Sequence, residues 1–421
     1  MNRDYILIGD EMKDRVVKVG ILVFAVFLVG ILAVVKFDKI ESEVSNSMKG
    51  TVLSKNKDNL VIQDTNNAIY TFKMTEGDVS VGEHIVLEYM GVIDKLKNVQ
   101  DNKVISIQTI DTVSLEEETT GIFSKFYKQA QKKLEDLSTE EKIKQLLLVR
   151  YNDKAVDALG GFVFFEKDFQ NKEENEVISM INGVQEKSKI PLLTAVDEEG
   201  GKIVRISSNS KLRTTKFRSS KDLYDEGGFN LIAEDTVDKS KLLKKLGLNV
   251  NLAPVVDIAD DVDAYMYERT IGKGKEITAD YAKTVINASK GTDVSYTLKH
   301  FPGYGNNTDT HLSAAEDIRD YDTIINNDLI PFKAGIEAGA EAVLVSHNIV
   351  KSIDADNPAS LSASVHNLLK VTLGFTGITI TDALDMGALK DVDDLYVKAL
   401  LAGNELLIVT DYEEAIKEIQ E

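Results

Sequence analysis

From residue 162 onward short apolar runs alternate with longer helical stretches, and this alternation restricts the fold more than any other feature of the chain. The runs are Phe162 to Phe165, Pro191 to Val196, Leu248 to Val256, Val294 to Leu298, Glu341 to Val345, Ile378 to Ile380 and Glu405 to Val409. Strands that alternate with helices build a parallel sheet, because each crossover carries the chain back to the same end. Seven strands are read where a closed (β/α)8 barrel needs eight, and the irregular residues 202 to 228 leave the difference open. A TIM-type barrel is nevertheless expected over an open sheet. Polar residues crowd the C-terminal ends of nearly all the strands, which is the rim where a barrel carries its active site.

The segments before residue 137 obey other rules. Val19 to Val35 is an uncharged apolar run at the lower end of the length that crosses a bilayer. Val34-Val35-Lys36-Phe37 after it lacks the small-x-small pattern of a signal-peptidase site, so a retained anchor is expected over 19–35. Arg3, Lys13, Arg15 and Lys18 precede the run and only Lys36 and Lys39 follow closely, which predicts a cytoplasmic N-terminus over 1–18 and an extracellular remainder. Residues 47–113 show short alternating stretches separated by turn formers such as Asp64-Thr65-Asn66-Asn67, the pattern of a small all-β domain, either a five-stranded OB-like barrel or a sandwich. A helical connector is expected over 121–136, with Ile122, Phe123, Phe126, Tyr127 and Ala130 packed along one side. Ser138-Thr139-Glu140-Glu141 reads as a capping box opening an amphipathic run from Lys142 to Val149, so the α/β domain is placed at 137–421.

Composition excludes several functions. A net charge of -20 supplies no basic face for phosphates, so no nucleic-acid partner is expected. The absence of cysteine removes disulfides, zinc-thiolate sites and thiol catalysis together. Asp257, Asp261, Asp263 and Glu268 mimic part of a calcium loop, but Val262 stands where that loop needs glycine and Ala259 where it needs a ligand. No metal or cofactor is proposed.

The strand ends carry the chemistry. Asp197-Glu198-Glu199-Gly200-Gly201-Lys202, Lys299-His300-Phe301-Pro302-Gly303, Ser346-His347-Asn348 and Asp382 each follow an apolar run. One such segment alone could be a cap or a turn, but four on one rim point to a site. Of the five histidines, His300, His311 and His347 lie in these segments, while His84 and His366 sit in ordinary structural contexts.

Together these motifs resemble glycoside hydrolase family 3 in its β-N-acetylhexosaminidase branch, over residues 137–421. Lys299-His300-Phe301-Pro302-Gly303-Tyr304-Gly305 followed by Asp309-Thr310-His311 is similar to that branch's KHFPGHG…D-S-H signature. Asp197 to Arg205, Leu252-Ala253-Pro254-Val255-Val256-Asp257, Glu268 to Gly272, Pro358 to Ser362 and Gly374 to Met386 follow in the family's order. Tyr304 replaces the usual second histidine, Lys202 stands for an arginine, and the stretch from Gly305 to Asp309 is one residue short. No second C-terminal domain that would supply a glutamate acid is expected.

The resemblance implies a retaining exo-β-N-acetylglucosaminidase acting on extracellular glycans such as cell-wall fragments, with a carbohydrate substrate and protein partners unknown. It implies Asp382 as nucleophile, Asp309 and His311 as the mobile acid/base, and Asp197, Arg269, Lys299, His300 and His347 as sugar contacts. The chemistry agrees, since retention needs one carboxylate to form the glycosyl-enzyme and a second group to move the proton. Arg269 and Lys299 would keep Asp382 ionised. Asp385 is the rival nucleophile, although a cap on the following helix is its simpler role. The competing functions are a β-glucosidase or xylosidase of the same family, a phosphorylase, and an inactive surface sugar-binding protein.

Overall fold

The computed structural model describes residues 45–64, 68–73, 79–94, 99–110, 121–152, 159–259, 261–305 and 315–421. Among them no helix is long and apolar enough to cross a membrane. The run Val19 to Val35 lies outside the described residues, as do Asp309 and His311.

The first unit contains β1 (Ser45–Lys55), β2 (Asn59–Asp64), β3 (Ile69–Lys73), β4 (His84–Met90), β5 (Val99–Gln100) and β6 (Val104–Ile110) in the hydrogen-bonded order β5-β3-β2-β1-β4-β6. Only Asp101, Asn102 and Lys103 separate the two edge strands, so one stretch of chain serves both edges and the sheet curls on itself. With β5 parallel to β3 and β6 antiparallel to β4, this is the connectivity of a five-stranded barrel of the OB type. Alternate residues, Leu60 and Ile62, Tyr70 and Phe72, Ile85, Leu87 and Tyr89, fill its interior.

This unit rests on the flank of the second through Asn367. The Asn367 amide accepts the Ile69 N–H at 2.8 Å and donates to the Ile69 carbonyl at 2.5 Å, so a side chain supplies what a neighbouring strand would have given the backbone. The helix Tyr127–Glu135 between the units differs from expectation. Leu134 in the helix and Phe126 at its N-cap are 45% and 48% exposed rather than packed along a covered side.

The second unit contains β7 (Leu147–Arg150), β8 (Gly161–Phe164), β9 (Leu193–Val196), β10 (Val250–Asn251), β11 (Ser295–Phe301), β12 (Glu316–Asp317), β13 (Ala342–Val345), β14 (Ile349–Val350), β15 (Ile378–Thr381) and β16 (Leu407–Val409). Eight of these form one parallel sheet, β15-β13-β11-β10-β9-β8-β7-β16, and the parallel bridge between Ile380 and Leu406 brings its edges together into a nearly closed barrel. β12 and β14 pair separately at the rim.

The missing eighth strand is therefore β7, and residues 202 to 228 contain no strand. The sequence places Leu147 to Val149 at the end of an amphipathic helix. The capping box on Ser138 and Glu141 does start that helix, but it stops at Gln145 and the apolar text continues as strand between β16 and β8. All three residues of this short run are buried, on both faces of the strand, so periodicity could not separate the two forms. Leu148 joins Val163, Leu252, Leu344, Ile380 and Ile408 inside the barrel, while Leu147 and Val149 face the helical layer. Gly161 opens β8 where the neighbouring chain is closest: a Cβ there would lie 2.1 Å from the Leu193 carbonyl oxygen.

Candidate active site

A cavity of about 350 Å³ opens at the C-terminal end of the barrel. Its floor is the top of the barrel interior, Val163, Leu252, Leu344 and Ile408, and its walls are Asp197, Glu199, Arg205, Arg269, Lys299, His300 and Asp382. Apolar residues thus exclude water from below while charged groups point inward from different strand ends.

Three consecutive acids after β9 do three different jobs. The Asp197 carboxylate accepts from Lys299 Nζ at 2.7 Å. Glu198 is fully buried and accepts the N–H groups of Arg205, Ile206 and Ser207 at 2.8, 2.7 and 3.3 Å, which shapes the irregular segment after the strand. Glu199 takes Arg269 in a two-pronged ion pair at 2.7 and 3.1 Å and Lys299 at 2.8 Å. Gly200, at φ +103°, makes this turn possible, since a Cβ would stand 2.1 Å from the Arg218 carbonyl oxygen.

Electrostatics follow from that arrangement. Burial opposes the charge on Lys299, but Asp197 and Glu199 more than compensate and raise its pKa above the ordinary value. Burial likewise opposes ionisation of Glu199, yet Arg269 and Lys299 hold its carboxyl far below the usual range. Two cations and two carboxylates therefore enter the barrel mouth as a balanced set.

A second cluster stands behind it. His300 Nδ1 lies 2.7 Å from Asp257 Oδ2, and Arg269 Nη2 lies 3.3 Å from His300 Nε2. The carboxylate only accepts, so its contact places a proton on His300 Nδ1. The other Asp257 oxygen accepts the Tyr304 N–H at 2.7 Å. One carboxylate thus fixes both ends of the turn that carries His300 and Tyr304.

Asp382 follows β15 with its amide donating to the Val345 carbonyl at 2.9 Å, and one carboxylate oxygen accepts the Ala383 N–H at 2.8 Å. Burial pushes its pKa up, but His347, His300, the Ala383 amide and Lys299 together bring it below the ordinary 3.8. The two histidines outweigh Lys299 in this effect, where sequence reasoning had credited Arg269 and Lys299.

Of the residues singled out beforehand, Asp197, Arg269, Lys299, His300 and Asp382 converge on the cavity. His347 does not line it. Its ring is fully buried, with Nδ1 2.8 Å from Ser360 Oγ and Nε2 3.0 Å from the Ala383 carbonyl, so it supports the Asp382 turn from behind. Asp385 is exposed, accepts from Thr410 Oγ1 at 2.8 Å, and neither lines the cavity nor caps a helix. His84 contacts Thr51 in the β unit and His366 is packed in the core. Sequence reasoning missed the roles of Glu199 and Asp257. A signal for Glu199 existed, because two buried cations cannot be balanced by Asp197 alone.

Comparison with known proteins places these features in context. The model of the glycosyl hydrolase family 3 N terminal domain matches residues 138–421. A beta-hexosaminidase of Xylella fastidiosa (strain M23) is 31% identical over 240 residues, 56% of this chain and 70% of that protein. A glycoside hydrolase family 3 beta-N-acetylglucosaminidase from Paenibacillus sp. str. FPU-7 superposes with a TM-score of 0.62 at 27% identity, covering 67% of this chain and 56% of that one. A family 3 glycosyl hydrolase from Mycobacterium smegmatis superposes with a TM-score of 0.60 at 25% identity, over 68% of this chain and 91% of that one.

The charge balance is testable without substrate. Glu199→Gln keeps the side-chain shape but leaves Arg269 and Lys299 under-compensated, and should destabilise the fold by about 3 kcal/mol in urea unfolding at pH 7. Because the folded-state pKa of Glu199 is depressed, its contribution is fully present above the ordinary 4.5 and is lost as pH falls below it. The wild-type advantage should therefore be constant from about pH 7 to 5 and shrink below 4.5; a gap that ignores pH would contradict the assignment.

Proposed function

The chain belongs to glycoside hydrolase family 3, and from that premise we propose that it is a retaining exo-β-N-acetylglucosaminidase that removes terminal N-acetylhexosamine from extracellular glycans such as cell-wall fragments. One observation carries the reading. Asp382, held as a carboxylate at the end of β15, faces a cavity whose other wall presents the buried ion pairs of Asp197, Glu199, Lys299 and Arg269. Such a set of fixed donors and acceptors suits the hydroxyl groups of one sugar ring, because charge-assisted hydrogen bonds are directional and strong in a site of low dielectric.

In the proposed reaction the terminal sugar lies over the apolar floor with its hydroxyls on Asp197, Lys299, Arg269 and His300. A carboxylate oxygen of Asp382 bonds to the anomeric carbon as the bond to the leaving oxygen breaks. Asp309 and His311 fall outside the described residues and are assigned here by the segment's place after Gly305. His311, oriented by Asp309, gives its proton to the leaving oxygen and then removes one from the water that releases the sugar from Asp382. His347 acts from behind, through the Ala383 carbonyl.

We also propose that Val19 to Val35 anchors the protein in the cell membrane with the catalytic unit outside. The support is the uncharged run, the basic residues before it and the lack of a cleavage pattern after it.

A panel of aryl glycosides tests the activity. Turnover of the 2-acetamido substrate should exceed that of the matching glucoside and xyloside, and His311→Ala should cost roughly a hundredfold on poor leaving groups and little on activated ones. Preference for the glucoside, or equal losses on both leaving-group classes, would overturn the glycon or the acid/base assignment respectively. The anchor is checked by fractionation: the full-length protein should remain with membranes after alkaline washing and be shed by protease applied from outside. Recovery of protein trimmed near residue 37 from the medium would show instead a cleaved signal.

A further inference from the structure

The lip of the cavity carries a side chain that the proposed chemistry leaves unused. Tyr265 lines the cavity and is 39% exposed. Its ring lies against Tyr304, with centroids 5.9 Å apart and planes inclined by 39°. Tyr304 is itself 2% exposed, its amide is fixed to Asp257, and its ring meets His300 edge-on at 5.7 Å and 70°. The next residue, Met266, is fully buried, and its sulfur lies 3.6 Å from Arg269 Nη1. Tyr265 is thus braced from behind by the framework that holds the charged groups, while a large part of its surface opens outward.

A braced, outward-facing aromatic ring is a flat apolar surface of fixed orientation. Aromatic faces of this kind take planar or near-planar partners, and the axial C–H groups of a β-linked pyranose form such a face. Depth decides which ring it meets. Lys299 and Arg269, which the proposed reaction puts on the terminal sugar's hydroxyls, have side chains only 3% and 15% exposed, whereas Tyr265 at 39% stands at the opening.

We propose that Tyr265, braced by Tyr304, is the stacking platform for the second sugar ring, the one that carries the leaving oxygen. The site then favours a glycosyl leaving group over an alkyl or peptidyl one. This inference rests on the glycosidase reading of the Asp382 cavity.

The test compares the β-1,4-linked N-acetylglucosamine disaccharide as substrate with free N-acetylglucosamine as competitive inhibitor, since the monosaccharide fills the deep subsite alone. Tyr265→Ala should raise KM for the disaccharide roughly tenfold and leave the monosaccharide inhibition constant within about twofold. Tyr265→Leu, which keeps bulk without a flat ring, should behave like the alanine variant, and Tyr265→Phe should match wild type. Equal weakening of both ligands, no effect on either, or a phenylalanine variant as damaged as alanine would each overturn the proposal. If the wild-type enzyme releases a different terminal sugar, the disaccharide and monosaccharide of that sugar take these places. A wrong glycon assignment is thereby distinguished from a wrong platform.

Discussion

The site depends on burying four charges together. Lys299 and Arg269 could not enter the barrel mouth alone, because removing a cation from water costs several kcal/mol that only close, well-oriented partners offset. Asp197 and Glu199 provide those partners at 2.7 to 2.8 Å, and they come from the turn after β9 while Lys299 comes from β11 and Arg269 from the loop after β10. The same contacts therefore tie three strand ends together and leave an ordered set of donors and acceptors facing the cavity. Stability and recognition share one cause here. Disturbing either carboxylate exposes the remaining charges to an environment that does not solvate them.

Around this set, each further group is held by a specific contact. Asp257 holds the Nδ1 side of His300 and the Tyr304 amide. His347 binds Ser360 and the Ala383 carbonyl, which fixes the turn whose amide supports Asp382. Asp382, the proposed nucleophile, stays ionised although buried, because nearby histidines, one amide and Lys299 outweigh desolvation. A carboxylate fixed in this way would need no rearrangement to act in the proposed role.

The sequence made the strand-end chemistry legible because polar residues at four strand ends have no core role, and Asp197, Lys299, His300 and Asp382 indeed meet. It concealed the eighth strand, since Leu147 to Val149 continues a helix in text and becomes β7 only through pairing with β8 and β16. Glu199 and Asp257 were visible as letters but not as partners, because counter-charges are a property of three-dimensional proximity. For His347 the text after β13 points to the rim, whereas the structure directs its ring to Ser360 and the Ala383 carbonyl behind Asp382. In the β unit, closure into a barrel rests on the β5-to-β3 and β6-to-β4 pairings, which alternation alone does not encode.

The central claim is that Asp382 forms the bond to the sugar, and trapping that bond tests it most directly. A fluorinated glycosyl substrate that forms the glycosyl-enzyme quickly and releases it slowly should add one sugar mass per chain, and peptide fragmentation should locate it on Asp382. Reactivation in buffer should restore the unmodified mass. A label on Asp385, or on any other carboxylate, would contradict the account.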